Sequence, residues 1–219
     1  MIDSRMEAVM NFVGAGSRVA DIGADHGYLS IALAKSGRAE KIIATEKNLG
    51  PWEAARKNIS AAGLDGVIEI RLGDGLQVLA AGEVDTICIA GMGGALIVKI
   101  LSDAPEVVQS AARLILQPMN GAKKIRDWLA ENSWKIVDED LAESSGIIYE
   151  IICAEKNPSE KIFKRETSPL LKKFLTQRSE KLERVLAEMN KSESARASEK
   201  FSATRAELEV LRKNLTANS

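Results

Sequence analysis

The sequence predicts an α/β fold, in which a mostly parallel sheet is covered by helices on both faces and followed by a helical hairpin. Strand-like apolar runs alternate with amphipathic stretches from residue 17 to residue 154. The last two runs are only five residues apart. Beyond Pro169, apolar residues recur in steps of four and three, the rhythm of packed helices. With 219 residues and 45% hydrophobic content, the chain can form one domain and an appendage.

The elements of the first domain follow from this alternation. Because strands and helices alternate along the chain, the first five strands are expected to run parallel. The runs at residues 134–141 and 147–154 are too close for a helical crossover, so we expect an antiparallel hairpin that closes the sheet. Such a sheet is more typical of methyltransferases than of dinucleotide-dependent dehydrogenases. The other strands are predicted at residues 18–22, 41–45, 67–72, 84–90 and 113–117, and the helices at 28–36, 51–62, 95–101 and 122–132.

A change of pattern near residue 158 marks the predicted domain boundary. Residues 157–159 read Asn-Pro-Ser, so we assign residues 1–157 to the sheet domain and residues 158–219 to a second domain. A turn near residues 190–193 would fold the second domain into two antiparallel helices that form a small coiled coil. Its apolar positions are Leu171, Leu175, Leu182, Val185 and Met189, then Ala197, Phe201, Thr204, Leu208, Leu211 and Leu215.

The charge is unevenly divided between the two predicted domains. The formal net charge is −1, but residues 1–155 hold 15 Lys and Arg against 22 Asp and Glu, whereas residues 156–219 hold 15 against 9. A basic appendage on an acidic domain is what a polyanionic partner such as a nucleic acid requires. The alternative is a solvated hairpin whose cations only keep it soluble.

Composition also disfavours several classes of protein. No apolar run approaches the ~20 residues of a membrane helix, and the first residues lack the apolar core of a signal peptide, so we expect a cytoplasmic protein without a membrane partner. Cys88 and Cys153 each lie in a strand-like run and are predicted to be reduced core thiols. Since His26 is the only histidine, we predict no metal site.

The most informative segment is residues 19–27, where a strand-like run leads through two glycines into a helix-like stretch. Gly23 would let the backbone approach a ligand, and Gly27 would let the helix pack against the strand. Asp25 stands where a dinucleotide-binding loop has its central glycine, which disfavours a pyrophosphate and therefore an NAD-dependent dehydrogenase. With Asp21 near the end of the strand, the loop favours a cationic ligand that carries an amino acid, such as S-adenosylmethionine.

Three further features follow later strands, at the sheet edge where ligands bind in open α/β sheets. Glu46 ends the second strand and is placed to accept hydrogen bonds from ribose hydroxyls, or is a surface carboxylate. Asp74 and Gly75 form a short acidic turn that can accept a hydrogen bond from an adenine amino group, or that is an ordinary turn. Residues 90–94 contain three glycines, among them Gly91, which indicates backbone close to a ligand or a tight turn.

Several segments together resemble the bacterial tRNA adenine N1-methyltransferases that modify position 22 in the D-arm. The segments are Asp21-Ile-Gly-Ala-Asp-His-Gly-Tyr-Leu, Gly73-Asp-Gly-Leu, Glu83-Val-Asp-Thr-Ile with Ile89-Ala-Gly-Met-Gly-Gly, and Leu114-Ile-Leu-Gln-Pro. The resemblance extends from residue 4 to residue 151 and implies a Rossmann-like class I methyltransferase sheet followed by a coiled-coil hairpin. One departure follows the fifth strand, where the family usually has Gln-Pro-Asn. Here Met119 follows Pro118, and the asparagine comes next as Asn120.

The resemblance implies S-adenosylmethionine as cofactor and tRNA as partner, with roles for particular residues. We expect Gly23, Glu46 and Asp74 to hold the amino-acid end, ribose and adenine of the cofactor. Arg5 binds its carboxylate or is a surface arginine. The other residues assigned to the cofactor are Asp21, Gly27, Gly75 and Gly91. Those assigned to the target adenine or to tRNA are Asp25, His26, Tyr28, Met92, Gln117, Pro118 and Asn120.

Alternatives stay open at this point. His26 could cap a turn, and Tyr28 could belong to the core instead of stacking on a base. The whole chain could be an S-adenosylmethionine-dependent methyltransferase that acts on another RNA or on a small molecule. It could also be a catalytically silent RNA-binding protein on the same scaffold.

Overall fold

The computed structural model describes residues 2–156, 158 and 168–217. The chain divides into two compact units, Met1–Arg165 and Glu166–Ser219. The boundary predicted between residues 157 and 158 adjoins residues outside the described part, so it stays a prediction. In the described part, no helix is both long and apolar enough to span a bilayer.

A seven-stranded sheet forms the centre of the first unit, with the strand order β3-β2-β1-β4-β5-β7-β6. The first five strands run parallel, and β7 pairs antiparallel with both β5 and β6. The predicted parallel sheet with a closing hairpin is therefore confirmed. The strands are β1 (Ser17–Ile22), β2 (Ala39–Glu46), β3 (Ile68–Leu72), β4 (Thr86–Gly93), β5 (Arg113–Asn120), β6 (Lys135–Ser144) and β7 (Ile147–Glu155).

Helices cover both faces of the sheet, so its central strands are apolar on both sides. Helices α1, α2 and α3 pack on one face, and α4, α5 and α6 pack on the other. The short helices α1 and α5 were not among the predicted elements. The helices are α1 (Ser4–Asn11), α2 (Tyr28–Lys35), α3 (Leu49–Ala61), α4 (Gly94–Ser102), α5 (Pro105–Ser110) and α6 (Ala122–Glu131), and a 3₁₀ turn spans Gly75–Val78. Cys88 and Cys153 are buried thiols that form no disulfide with each other, as predicted.

The chain order creates a crevice at one edge of the sheet. From β1 the chain proceeds to β2 and β3 on one side, and then returns to place β4 on the other side of β1. The connections after β1 and β4 therefore diverge at the carboxyl ends of these strands. Open α/β sheets bind their ligands at such a switch point.

The first turns of α4 and α6 touch each other through glycine. A Cβ atom on Gly94 would lie 2.4 Å from the carbonyl oxygen of Gly121, which is backbone and cannot rotate away. We expect Gly94→Ala to destabilise the first unit by about 2–3 kcal/mol, as overpacking does. Urea unfolding followed by tryptophan fluorescence measures this, because all three tryptophans lie in this unit.

Gly50→Ala is the matched control for this substitution. Gly50 also lies in the first turn of a helix, α3, but a Cβ atom there would meet nothing within 4 Å. Alanine is the better helix former, so this variant should be as stable as the parent or more stable. Equal unfolding midpoints for the two variants would contradict the tight contact between Gly94 and Gly121.

The second unit contains two long helices, α7 (Leu171–Met189) and α9 (Glu199–Ala217), separated by the short helix α8 (Glu193–Arg196). Each long helix is ~28 Å long, and the short connection cannot carry the chain back over that distance, so the two helices run antiparallel. Two ion pairs join them, Arg178 with Glu207 at 2.6 Å and Arg212 with Glu183 at 2.8 Å. The helical hairpin agrees with the prediction, whereas the coiled coil stays a prediction.

Candidate active site

A cleft of about 700 Å³ lies at the carboxyl ends of β1, β2 and β4. It brings together most of the residues predicted from the sequence. The predicted residues that line it are Arg5, Asp21, Gly23, Asp25, His26, Tyr28, Glu46, Asp74, Gly75, Gly91 and Met92. Four predicted residues do not line it, namely Gly27, Gln117, Pro118 and Asn120.

The loop after β1 is fixed by its backbone. The N–H groups of Gly23 and Ala24 both donate to the carbonyl oxygen of Thr45, at 2.9 and 3.0 Å. Gly23 has a φ of +72°, and a Cβ atom there would lie 2.2 Å from the terminal methyl group of Met92. The positive φ favours glycine at this position, whereas the methyl group of Met92 is the flexible end of a side chain, and the bare backbone faces the cleft.

Gly27 has a different role from the predicted one. Its φ of +75° starts α2 in the left-handed region. The nearest atoms to a Cβ atom placed there belong to Ala55 and Ile59 of α3, the closest at 3.4 Å. The expectation that Gly27 packs the helix against the strand is therefore wrong, because the close neighbour is a second helix.

Asp21 is a buried carboxylate in the wall of the cleft. It accepts a hydrogen bond of 2.6 Å from the hydroxyl group of Ser30 on α2. Burial raises the pKa of Asp21 to about 6, although the hydrogen bond from Ser30 opposes this shift. A carboxylate held in such a place favours a cationic group on a ligand.

Glu46 connects the end of β2 to the loop after β1. Its side chain is 8% exposed, and one carboxylate oxygen accepts a hydrogen bond of 2.9 Å from the N–H of Asn48. The other oxygen accepts one of 3.3 Å from the N–H of Asp25, which has a φ of +51°. Glu46 thus orients both loops while its oxygens face the cleft.

Asp74 lies at the same side of the cleft as Glu46 but is exposed. Its carboxylate pairs with the ammonium group of Lys47 at 2.7 Å. Because both side chains are more than half exposed, this ion pair contributes little free energy. A ligand amino group can therefore compete with Lys47 for Asp74.

Arg5 is held at the opposite end of the cleft by several partners. Its guanidinium donates to Oε1 of Gln117 at 2.8 Å and lies 5.6 Å from the centre of the Tyr149 ring. Asp3 lies 3.5 Å from Arg5 and also accepts a hydrogen bond of 2.9 Å from the hydroxyl group of Ser144. These contacts fix the orientation of a cation that faces the cleft.

Gln117 is fully buried and acts through other residues. The same oxygen that accepts from Arg5 also accepts a hydrogen bond of 3.0 Å from the N–H of Gly91, whose φ is +77°. Its amide nitrogen donates to the carbonyl oxygen of Pro118 at 3.0 Å. Gln117 therefore positions Arg5 and the glycine segment of β4 rather than lining the cleft.

The side chains of Met119 and Asn120 lie on opposite faces of β5, as successive residues of a strand do. Met119 lines the cleft, and its sulfur lies 3.9 Å from Nη1 of Arg5. Asn120 lies on the other side, next to Gly93. A shift of the family's asparagine by one residue thus does not bring Asn120 into the cleft.

His26 and Tyr28 form an exposed aromatic pair at the rim. Their ring centres are 5.6 Å apart with an angle of 27° between the planes. Nε2 of His26 lies 3.8 Å from a carboxylate oxygen of Asp25. Tyr28 is 47% exposed, so it is not a core residue.

Sequence reasoning missed several residues of the cleft. Among them are Asp3, Lys47, Asn48, Leu96, Met119, Ser144, Ser145 and Tyr149. Lys47 and Asn48 directly follow Glu46, and this proximity could have indicated them. Ser144 and Tyr149 reach the cleft because the β6–β7 hairpin meets α1 through Asp3, a contact between distant parts of the chain that leaves no local signal.

Comparison with known proteins decides the family. A family model described as a methyltransferase domain matches residues 2–152. The chain belongs to this family. The tRNA (adenine(22)-N(1))-methyltransferase of Bacillus subtilis (strain 168) is 40% identical over 154 residues, which are 70% of this chain and 65% of that protein. In this alignment the chain thus spans slightly less than two thirds of the relative's length.

Solved structures of similar proteins match along nearly the whole chain. The crystal structure of the B. subtilis m1A22 tRNA methyltransferase TrmK has a TM-score of 0.84 and 29% identity, and covers 98% of this chain and 99% of that one. Streptococcus pneumoniae Sp1610 in complex with S-adenosyl-L-methionine has a TM-score of 0.83 and 33% identity, covering 98% and 100%. These findings confirm the predicted family and the Rossmann-like methyltransferase fold.

Proposed function

We propose that this protein transfers a methyl group from S-adenosylmethionine to N1 of an adenine in tRNA, at position 22 of the D-arm. One observation carries the proposal. The cleft at the switch point holds Asp21, Gly23, Glu46 and Asp74 together, and its rim carries exposed aromatic residues. The tRNA substrate comes from the relatives, whose names state it. A tRNA substrate also implies a cytoplasmic enzyme.

The residues of the cleft suit the cofactor group by group. Glu46 has acceptor capacity left for the ribose hydroxyls, and Asp74 for the adenine amino group. Arg5 offers a fixed guanidinium to the carboxylate. Gly23 presents bare backbone to the cleft, and the carboxylate of Asp21 complements positive charge.

The chemistry asks mainly for positioning. S-adenosylmethionine would supply a methyl group on a cationic sulfur. The lone pair of adenine N1 attacks this methyl carbon in line, so that a C–N bond forms as the C–S bond breaks, and the sulfur leaves with the bonding electron pair as the neutral thioether of S-adenosylhomocysteine. Aligning the two reactants can contribute ~7–11 kcal/mol. The positive charge moves onto the base, and Asp25, exposed in the cleft, is the carboxylate that we assign to stabilise it.

Nucleoside mass spectrometry tests the proposed function. Unmodified tRNA is incubated with the purified protein and methyl-labelled S-adenosylmethionine, and then digested to nucleosides. We expect labelled 1-methyladenosine, which is lost when the substrate carries guanine at position 22. Label in another nucleoside or in a small molecule would support a different substrate, and no label would support a silent RNA-binding protein.

We further infer that the basic helical hairpin formed by α7 and α9 binds the tRNA. In α7, Lys181 and Arg184 are exposed cations on one flank of the helix. Changing both to glutamine in the full chain should raise the KM for tRNA about tenfold and reduce the salt dependence of tRNA binding, with the Kd for S-adenosylmethionine unchanged. Filter binding over a salt series and calorimetry measure these effects. An unaltered salt slope would assign the grip to another surface.

A further inference from the structure

Three exposed apolar side chains surround the mouth of the cleft. Of the large apolar side chains in the described residues, seven are substantially exposed, and three of these line this single cleft. The three are Tyr28, Leu96 and Met119, which we call the apolar collar. Their exposed fractions are 47%, 49% and 44%.

The apolar collar comes from separate parts of the fold. Tyr28 begins α2 on one face of the sheet, Leu96 lies in the first turn of α4 on the other face, and Met119 is near the end of β5. No single element explains their exposure as the leftover of one amphipathic surface. Apolar side chains that converge on a cleft from separate elements are typical of a binding site.

The cofactor does not account for the apolar collar. S-adenosylmethionine carries an ammonium, a carboxylate, a sulfonium and two ribose hydroxyls, and the charged residues Arg5, Asp21 and Glu46 complement them. Its adenine is assigned to Asp74, and Ile100, next to Gly75 in the lining, offers that ring an apolar contact. An adenine taken out of a stacked RNA is different. Its two faces lose their stacking partners, at a cost of a few kcal/mol, and apolar or aromatic side chains can replace them.

We propose that Leu96 and Met119, together with Tyr28, hold the faces of the target adenine after it leaves the RNA stack. The proposal rests on the proposed function and adds the residues that stabilise the extruded base. N1 lies on the pairing edge of adenine, so a pocket that grips the faces leaves this edge free to meet the methyl group. Leu96 and Met119 are therefore residues that select an unstacked purine.

Met119 makes the apolar collar of this chain different from that expected in the resembling family. Where the resembling family usually has an asparagine, the thioether supplies a polarisable apolar surface and no strong hydrogen-bond donor. Its sulfur lies 3.9 Å from both Nη1 of Arg5 and Nε2 of Gln117. The side chain thus contacts the cation assigned to the cofactor and is still partly exposed in the cleft.

The test compares Leu96→Ser and Met119→Ser, alone and combined, in the full-length protein. The control is Ile147→Ser, because Ile147 is 54% exposed at the β6–β7 hairpin but does not line the cleft. For the combined variant we expect the KM for tRNA to rise at least fivefold and kcat to fall, with the Kd for S-adenosylmethionine unchanged by calorimetry. Met119→Leu keeps an apolar side chain of similar size, so it should raise the KM for tRNA less than Met119→Ser does.

A second readout does not depend on methyl transfer. In tRNA with 2-aminopurine at position 22, binding of the parent protein should raise the fluorescence as the base unstacks, and the combined variant should produce less than about half of this rise. If the parent methylates tRNA but the collar variants behave like Ile147→Ser in both assays, the collar proposal is wrong. If the parent does not methylate tRNA, the proposed function fails, and the fluorescence assay still reports whether the collar holds an extruded base.

Discussion

Replacing Glu46 by alanine is expected to weaken S-adenosylmethionine binding by at least a hundredfold. The physical reason is that a carboxylate accepting two ribose hydroxyls makes two charge-assisted hydrogen bonds, each contributing ~1.5–3 kcal/mol. The same side chain also accepts the N–H groups of Asp25 and Asn48, at 3.3 and 2.9 Å. Alanine therefore removes the ribose contacts and releases two loops at once. Isothermal calorimetry with the full-length protein measures the change in Kd.

Two further variants make the result specific. Glu46→Gln keeps the size of the side chain and one strong acceptor but loses the charge, so the expected loss is about tenfold. Glu40→Ala changes an exposed glutamate at the other end of the same strand, and its Kd should equal the parent's. An unaltered Kd for Glu46→Ala would remove Glu46 from the cofactor site.

Much of the fold could be predicted because its signals are local. Strands that are buried on both faces appear in the sequence as short, continuous apolar runs, as at Ile42 and Ile43. Glycines mark the turns between these runs and the helices. Helix α1 was missed, although Asp3 accepts a hydrogen bond from the N–H of Met6 as an N-cap residue does. Helix α2 is equally short but was predicted from its place after a strand-like run and a glycine turn, a context that α1 lacks.

A site residue could be predicted from the sequence only where its position at the end of a strand, or in the loop that follows, already places it at the cleft. Gly23, Glu46 and Asp74 follow consecutive strands, so their convergence is implied by a parallel sheet. Gln117 is adjacent in sequence to the predicted site, yet only the structure shows that its side chain is buried between Arg5 and Gly91. Contacts between residues more than a hundred positions apart have no signature in a single sequence.

Replacing Asp21 by asparagine should have opposite effects on stability and on cofactor affinity. In the folded protein, burial raises the pKa of Asp21 to about 6 from its ordinary value of 3.8. The folded state thus binds the proton more tightly than the unfolded state. Stability therefore falls as the pH rises from about 4 to about 6 and stays lower above that range. A shift of this size corresponds to roughly 3 kcal/mol.

Asparagine has no charge to desolvate, and its oxygen can still accept the hydrogen bond from Ser30. At neutral pH the free energy of unfolding of the variant should therefore exceed the parent's by about 1–3 kcal/mol, so the variant unfolds at a higher urea concentration. Its stability should no longer fall between pH 4 and pH 6. Asn11→Asp, an exposed site at the end of α1, is a control for the chemical exchange itself and should leave this slope in place. A parent protein whose stability rises over that range would contradict the buried, proton-retaining carboxylate.

Affinity should change in the other direction, because the carboxylate of Asp21 complements the positive charge of the cofactor. We expect Asp21→Asn to bind S-adenosylmethionine about tenfold more weakly at pH 7.5. In the parent the affinity should fall as the pH drops below about 6, since Asp21 then keeps its proton, whereas the variant should show no such dependence. A carboxylate that lowers the stability of the free protein and raises its affinity for a cation is selected for function rather than for folding. If the variant gained stability without losing affinity, Asp21 would be a buried charge with no part in binding.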